Sequence, residues 1–272
     1  MSCNHDCSSC SNGDCKDRDF TVKPKDGTEF KKIIAVMSGK GGVGKSLVTT
    51  LLAIEANKRG LKTAVLDADV TGPSIPKAFG LSEKDRAQGS DEGLYPVVAK
   101  SGEKVISMNS LLEEPSMPVV WRGPIISGVV KQFYTDVLWG KNDVMFIDMP
   151  PGTGDVPLTV FQSFKIDGIV VVSTPQDLVS MIVEKSVKMA NMMNIPIVGI
   201  VENMSYAVCP ECGKKLYVFG EGKTDEVAKA YGLEVLAKMP IDPSVAKLID
   251  AGEADKIDTN CLKTAIDKIM EN

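Results

Sequence analysis

Residues Gly39-Lys40-Gly41-Gly42-Val43-Gly44-Lys45-Ser46 form a glycine-rich octet closed by a lysine and a hydroxyl. The run before it, Lys32-Ile-Ile-Ala-Val-Met37, is apolar and β-branched enough for a buried strand, and Leu47 to Arg59 reads as a good helix. The octet therefore sits at a strand-to-helix turn. There, glycines let backbone N–H groups approach phosphate oxygens, and the open N–H groups of the helix N-terminus add positive potential. In this pattern Lys45 reaches the β- and γ-phosphates and Ser46 ligates Mg²⁺. Gly39, Lys40, Gly41, Gly42, Val43, Gly44, Lys45, Ser46 and Leu47 are thus expected to line a nucleotide. A plain glycine turn is the competing reading, and the full pattern between both flanks argues against it.

The chain has 272 residues, 43% of them hydrophobic, which suits one large α/β domain with a substantial core. A net charge of -5, with both signs mixed along the sequence, is unlike the basic footprint of a nucleic-acid binder. No apolar run approaches the ~20 residues that cross a bilayer, and the N-terminus has no basic region followed by an apolar stretch. The expectation is a cytoplasmic protein with neither nucleic acid nor membrane as partner.

Seven cysteines in a reducing compartment point to metal binding or free thiols rather than structural disulfides. Cys3, Cys7, Cys10 and Cys15 lie near the start, Cys209-Pro-Glu-Cys212 forms a pair, and Cys261 stands alone, read as a buried or idle thiol. The only histidine, His5, lies within the first group, which excludes histidine-dependent triads and zinc hydrolase sites from the rest of the chain.

Residues 1–30 are polar, rich in Ser, Asp, Lys and Cys, and lack an apolar period, so they read as a tail that is disordered unless a metal orders it. Residues 31–272 form the remaining domain. Strands are predicted at Lys32–Met37, Thr63–Leu66, Val105–Met108, Val144–Ile147, Gly168–Val172, Ile197–Val201 and Val235–Ala237. Helical patterns cover Ile125–Tyr134, Leu178–Met193, Thr224–Tyr231 and Thr259–Met270, the last packing on the sheet rather than on a membrane. Ser82–Gly93 reads as a surface excursion. Alternating strand and helix predicts a mostly parallel central sheet with helices on both faces.

Asp67-Ala-Asp69 follows the second strand, and Asp148-Met-Pro-Pro-Gly152-Thr-Gly-Asp155 follows the fourth, placing carboxylates at strand ends where parallel sheets bind ligands. Asp148 should hold Mg²⁺ through water, and Gly152 is placed for a switch that senses the γ-phosphate. An isolated D-x-D is more often turn chemistry. Its place after the phosphate loop makes the ligand reading the stronger one here.

With these motifs in order, and with Lys40 directly after the first glycine, the chain resembles the deviant Walker A class of P-loop ATPases. That class includes nitrogenase iron protein, septum-site and partition ATPases, and arsenite-pump-type ATPases. The resemblance implies ATP held between two subunits, with Lys40 crossing the homodimer interface to the partner's phosphates. It further implies Lys40, Lys45 and Asp69 as catalytic residues, Asp69 orienting the attacking water. Asp67 would support Mg²⁺ and the switch formed with Gly152 and Asp155, and Asn203 and Pro240, the latter within Met239–Asp242, would hold adenine. Phosphoryl transfer needs positioning and charge neutralisation, which agrees with a site lacking histidine.

Cys209 and Cys212 offer two thiolates from one tight turn, half of a tetrahedral four-sulfur site; a twofold axis would bring a second pair to complete it. By spacing alone, a [4Fe-4S] cluster and a zinc ion fit equally. Together with Asp67–Pro76, Trp121-Arg-Gly-Pro124, Asp148–Asp155 and Val201-Glu-Asn-Met204, the pair resembles the Mrp/ApbC/Nbp iron-sulfur cluster carrier ATPases over about residues 30–250. That resemblance implies a homodimer binding a labile [4Fe-4S] cluster, exchanged with cluster assembly scaffolds and apo iron-sulfur client proteins, with ATP use coupled to loading or release. Trp121 and Arg122 read best as a helix-capping turn with a packed ring. In the tail, C-x3-C-x2-C-x4-C can wrap a cluster within one chain, and zinc on three cysteines plus His5 or the fourth cysteine is the competing fit. The family's cytosolic eukaryotic branch has a longer first interval there. Two rivals remain: a partition or positioning ATPase, which would lack the thiol pair, and a nitrogenase-iron-protein-like electron donor, whose cluster cysteines are widely separated in sequence.

Overall fold

The strand that feeds the glycine-rich octet is buried along its whole second half, Ile33 to Met37, and its side chains alternate between two separate cores. In the computed structural model, which describes residues 20–70, 74–82, 84–111, 123–175 and 179–271, this strand is β1 (Glu29–Met37). The other strands are β2 (Thr63–Asp67), β3 (Gln88–Ser90), β4 (Gly93–Tyr95), β5 (Val97–Val98), β6 (Lys104–Ile106), β7 (Lys141–Asp148), β8 (Gly168–Ser173), β9 (Ile197–Val208), β10 (Lys215–Leu216) and β11 (Val235–Ile241). The helices are α1 (Lys45–Lys58), α2 (Ile75–Ala78), α3 (Gly123–Thr135), α4 (Asp155–Ser163), α5 (Val179–Met193), α6 (Thr224–Ala230), α7 (Pro243–Asp250) and α8 (Lys263–Glu271).

The sheet runs β10-β9-β8-β1-β7-β2-β6-β5, with β11 also paired to β9. The pairs from β9 to β6 are parallel, and the short β5 and β10 are antiparallel. Side-chain alternation sorts this sheet into two faces. Ile33, Ala35, Met37, Met145 and Ile147 pack with residues of α3, α4 and α5, whereas Ile34, Val36, Val144 and Phe146 pack beneath α1 and α8. Helix α1 is buried around most of its circumference because α8 covers its outer side, including the carboxylate of Glu55, which accepts from Thr259 Oγ1 at 2.6 Å. The α/β expectation holds, and all seven predicted strands are present.

The differences have local causes. Strand β9 continues seven residues beyond the predicted Val201, through the polar Glu202-Asn203-Met204-Ser205, because β11 pairs with it from Ile200 to Ala207. Met204 adopts φ 57 inside this strand, and the β9–β11 register shifts nearby. The predicted Val105–Met108 strand stops at Ile106, ahead of a 3₁₀ turn at Met108–Ser110. The last helix starts at Lys263 after a 3₁₀ turn, with Leu262, Ala265, Ile266 and Ile269 buried on the sheet side. Three short helices were not anticipated. In α7, Pro243 opens the first turn and Asp242 caps it, accepting from Ser244 N–H at 2.8 Å. Ser82–Gly93 contains the exposed start of the β3–β4 hairpin. Val22 packs against the core, and its N–H donates to Ser163 O at 2.8 Å. Among the described residues no helix is long and apolar enough to cross a membrane.

Trp139 is the largest fully buried side chain among the described residues; its Nε1–H donates to Phe133 O at 3.0 Å. Trp139→Ala should therefore cost about 3–5 kcal/mol by leaving a cavity under α3. Denaturant unfolding followed by circular dichroism reads this directly, and an unchanged midpoint would contradict the packing described.

Candidate functional site

The C-terminal ends of the central strands β1, β7 and β2 lie side by side, the usual place for ligands in parallel α/β folds. From β1 the chain turns through Gly39–Gly44 into α1. Gly42 and Gly44 take φ 79 and 81, a backbone region that side chains rarely enter. A Cβ on Gly44 would also collide with Asn203 Nδ2. Asn203, buried on β9, donates from Nδ2 to Val43 O at 3.0 Å and so holds the loop from outside. No side chain caps α1, which leaves its first-turn N–H groups directed at the loop's concavity.

Register brings Asp67 and Asp148 side by side on β2 and β7, both almost fully buried. Asp148 accepts from Lys45 Nζ at 2.7 Å, Ser46 Oγ at 2.6 Å and Thr49 Oγ1 at 2.9 Å. Asp67 accepts from Ser107 Oγ at 2.9 Å and from Asp69 N–H at 3.1 Å, while Asp69 lies 3.6 Å from Lys45 Nζ. Desolvation pushes Asp67 well above the ordinary carboxylate range, and the neighbouring Asp148 charge adds to it. Desolvation raises Asp148 too, against the opposing pull of Lys45. Among the described residues, Lys45 faces three carboxylates, those of Asp67, Asp69 and Asp148. The oxygens of Ser46, Asp67 and Asp148 form a donor set suited to Mg²⁺, whose charge would offset that excess. Gly152, at φ 89, donates its N–H to Ser38 O at 2.9 Å, joining the loop after β7 to the residue preceding Gly39. Asp155 opens α4 and lies against Gly123 at the start of α3, so closely that a Cβ on Gly123 would strike its carboxylate.

A cavity of about 460 Å³ opens beside α1. Leu47, Leu51, Tyr206, Met239, Pro240 and Cys261 are among the residues in its wall, so Leu47 and Pro240 line the same cavity. Asn203 contacts the loop backbone instead of this wall. Cys261, expected to be buried or idle, is open to the cavity, and partial burial with the Asp258 charge raises its thiol above the usual range. Thr49, Ser107 and Tyr206 escaped the sequence reading. Thr49 alone carried a signal, one helical turn beyond Lys45 on the same face of α1.

Strand β9 ends at Val208, and Cys209 begins a tight turn returning through β10. Cys209 N–H donates to Lys214 O and Gly213 N–H to Cys209 O, both at 2.9 Å, with Gly213 at φ 71. The N–H groups of Cys212 and Glu211, then the Cys212 thiol, hold the Cys209 thiol below its ordinary range. Amide donors aimed at a sulfur favour the thiolate that binds metal. Cys209 is half-buried and Cys212 exposed. Cys3, Cys7, Cys10, Cys15 and His5, together with Thr71-Gly72-Pro73 and Trp121-Arg122, lie outside the described residues.

A phosphate loop at a β1–α1 turn, buried aspartates on the adjacent strands and a mostly parallel sheet define a P-loop NTPase. The chain belongs to the NUBPL iron-transfer P-loop NTPase family (ParA), whose model matches residues 29–272. It is 46% identical over 266 residues to the iron-sulfur cluster carrier protein of Clostridium perfringens, covering 92% of this chain and 93% of that one. It is 43% identical to the iron-sulfur cluster carrier protein of Methanocaldococcus jannaschii, covering 92% and 89%. A solved nucleotide-binding protein from Archaeoglobus fulgidus, in complex with ADP and with Co found in it, superposes with a TM-score of 0.77. The two are 47% identical, with 86% of this chain and 91% of that one covered. The septum site-determining protein MinD from Pyrococcus horikoshii, with Mg-ADP, shares the fold at a TM-score of 0.58 and 17% identity, covering 89% and 95%.

The opposite displacements of Cys209 and Cys261 give a direct check, because the thiolate is the form that alkylates. In a pH series read by site-resolved mass spectrometry, Cys209 should reach half its maximal alkylation rate at a lower pH than Cys261. The reverse order would contradict the amide-stabilised turn.

Proposed function

We propose that the chain is an ATP-hydrolysing, homodimeric carrier that binds a labile [4Fe-4S] cluster and hands it to apo iron-sulfur proteins in the cytoplasm. The carrying observation is that Asn203, which holds the phosphate loop, and the Cys209/Cys212 turn belong to one continuous strand and its end. The phosphate loop and the thiol turn are thereby joined through one strand. The names of the relatives from Clostridium perfringens and Methanocaldococcus jannaschii, and the ADP complex from Archaeoglobus fulgidus, support the same reading.

In this reading residues 31–272 are the ATPase domain. Gly39–Leu47 enclose the phosphates, Lys45 neutralises them, and Ser46, Asp67 and Asp148 hold Mg²⁺, which supplies charge neutralisation at the β- and γ-phosphates. Asp69, within reach of Lys45, orients the attacking water. Gly152 reports the γ-phosphate through its hydrogen bond to Ser38, and Asp155 passes the change to α3. The base enters the cavity at Leu47 and Pro240. Lys40 serves the partner's nucleotide, so the site is complete only in a dimer.

Each chain's turn offers two thiolates, and a second copy supplies the other two. Val208, Leu216, Tyr217, Val218 and Phe219 are exposed apolar residues flanking that turn, a surface suited to a partner copy. The cluster is cargo: client thiolates replace those of Cys209 and Cys212 as it leaves. The tail, residues 1–30, holds a second cluster through Cys3, Cys7, Cys10 and Cys15, loaded from assembly scaffolds.

Anaerobic reconstitution with ferrous iron and sulfide, followed by transfer to apo-aconitase, tests this reading. Cys209→Ala should lose the shared cluster and keep ADP binding. Lys40→Ala and Asp69→Ala should lower kcat by about 10²–10³-fold, the scale of losing one preorganised charged group, while still ligating the cluster. Normal transfer by Cys209→Ala, or a cluster that cycles electrons without being handed over, would overturn the proposal.

A further inference from the structure

Tyr206 occupies a position that neither the phosphate loop nor the thiol turn explains. It lies on β9, three residues after Asn203 and three before Cys209. Opposite it on β11 is Pro240, and the Tyr206 ring helps to wall the 460 Å³ cavity with Leu47 and Met239. The same ring carries the ammonium of Lys215, 4.2 Å from its centroid. Lys215 is the first residue of β10, pairs with Val208, and follows directly on Lys214, whose carbonyl accepts from Cys209 N–H. One residue thus lines the cavity and carries over its ring a cation from the return strand of the thiol turn.

We propose that Tyr206 and Lys215 are positioning residues through which occupation of the base cavity sets the order of the Cys209/Cys212 turn. The inference rests on the base entering that cavity, as argued above. A planar ring wedged against a bound purine loses rotational freedom, and a cation over its face is then held in a narrower range of positions. Lys215 is otherwise an exposed side chain on a two-residue edge strand, where few interactions restrain it. Fixing it fixes Lys214, and with it the hydrogen bond that closes the turn at Cys209. Coupling of this kind is reciprocal: whatever orders the thiol turn must tighten nucleotide binding by the same factor.

The test needs no cluster. Alkylation rates at Cys209 and Cys212 are followed by site-resolved mass spectrometry on the full chain, with and without saturating ADP, and ADP affinity is measured alongside by calorimetry. ADP should slow alkylation of both thiols in the parent by about two- to five-fold, the range of one exposed cation–π contact. Lys215→Met should lose the slowing and bind ADP more weakly by about the same two- to five-fold factor, and Lys215→Arg, which keeps a cation over the ring, should retain both. Tyr206→Phe should also retain both. A parent whose thiols ignore ADP, or a Lys215→Met protein with full slowing, overturns the proposal. Cluster reconstitution on the same samples separates the two claims. ADP-dependent alkylation without any cluster leaves the coupling standing and removes the carrier reading; a transferable cluster with ADP-blind thiols does the opposite.

Discussion

The structure depends on a charge imbalance buried at the C-terminal ends of its central strands. Asp67 and Asp148 are neighbours in register, almost wholly removed from water, and share one ammonium, that of Lys45. Burial drives both carboxylates above their ordinary range. As pH rises, the unfolded chain ionises these groups first, so stability falls until they ionise within the fold as well, and the loss persists above that point. Ser46, Thr49 and Ser107 donate hydrogen bonds that lessen this cost without removing it. A divalent cation with phosphates relieves it, because the cation answers the carboxylates and the phosphates take up Lys45 and the α1 amides. The same cluster that weakens the empty fold is therefore the source of its affinity for a charged ligand.

Strand β9 joins the phosphate loop to the thiol turn. Asn203 grips the loop, Tyr206 faces the cavity, and Cys209 opens the thiol turn, all within one strand and its first residue beyond. Pairing with β11 resumes at Tyr206 and Ala207, beyond the irregularity at Met204, and supports the end of the strand next to the turn. The thiol turn itself is built for sulfur ligation by backbone amides, independent of any distant charge.

Much of this was legible in the sequence because each feature had a local signature. The octet and its flanks located the β1–α1 turn, and apolar runs located the strands of the buried parallel sheet, since burial on both faces leaves no polar interruption. The end of β9 was hidden for the converse reason: Glu202, Asn203 and Ser205 break the apolar run, and pairing with β11 and, at Glu202, with β8 keeps the chain extended. Helix α4 lay concealed behind Pro150-Pro151-Gly152, although Pro157 in its first turn removes no intrahelical hydrogen bond. The cavity could not be read because its wall is drawn from α1, β9, β11, α7 and the segment before α8, which meet only in the fold. Ser107 is likewise a plain serine until β6 is placed beside β2.

The central claim is that two chains together complete one metal-cluster site. Anaerobic native mass spectrometry tests it on protein in which Cys3, Cys7, Cys10 and Cys15 are replaced by serine, loaded with iron and sulfide. The account predicts a dimer carrying a single [4Fe-4S] mass increment, abolished by Cys212→Ala. A cluster retained on a single chain, or a loaded species that survives Cys212→Ala, would contradict it.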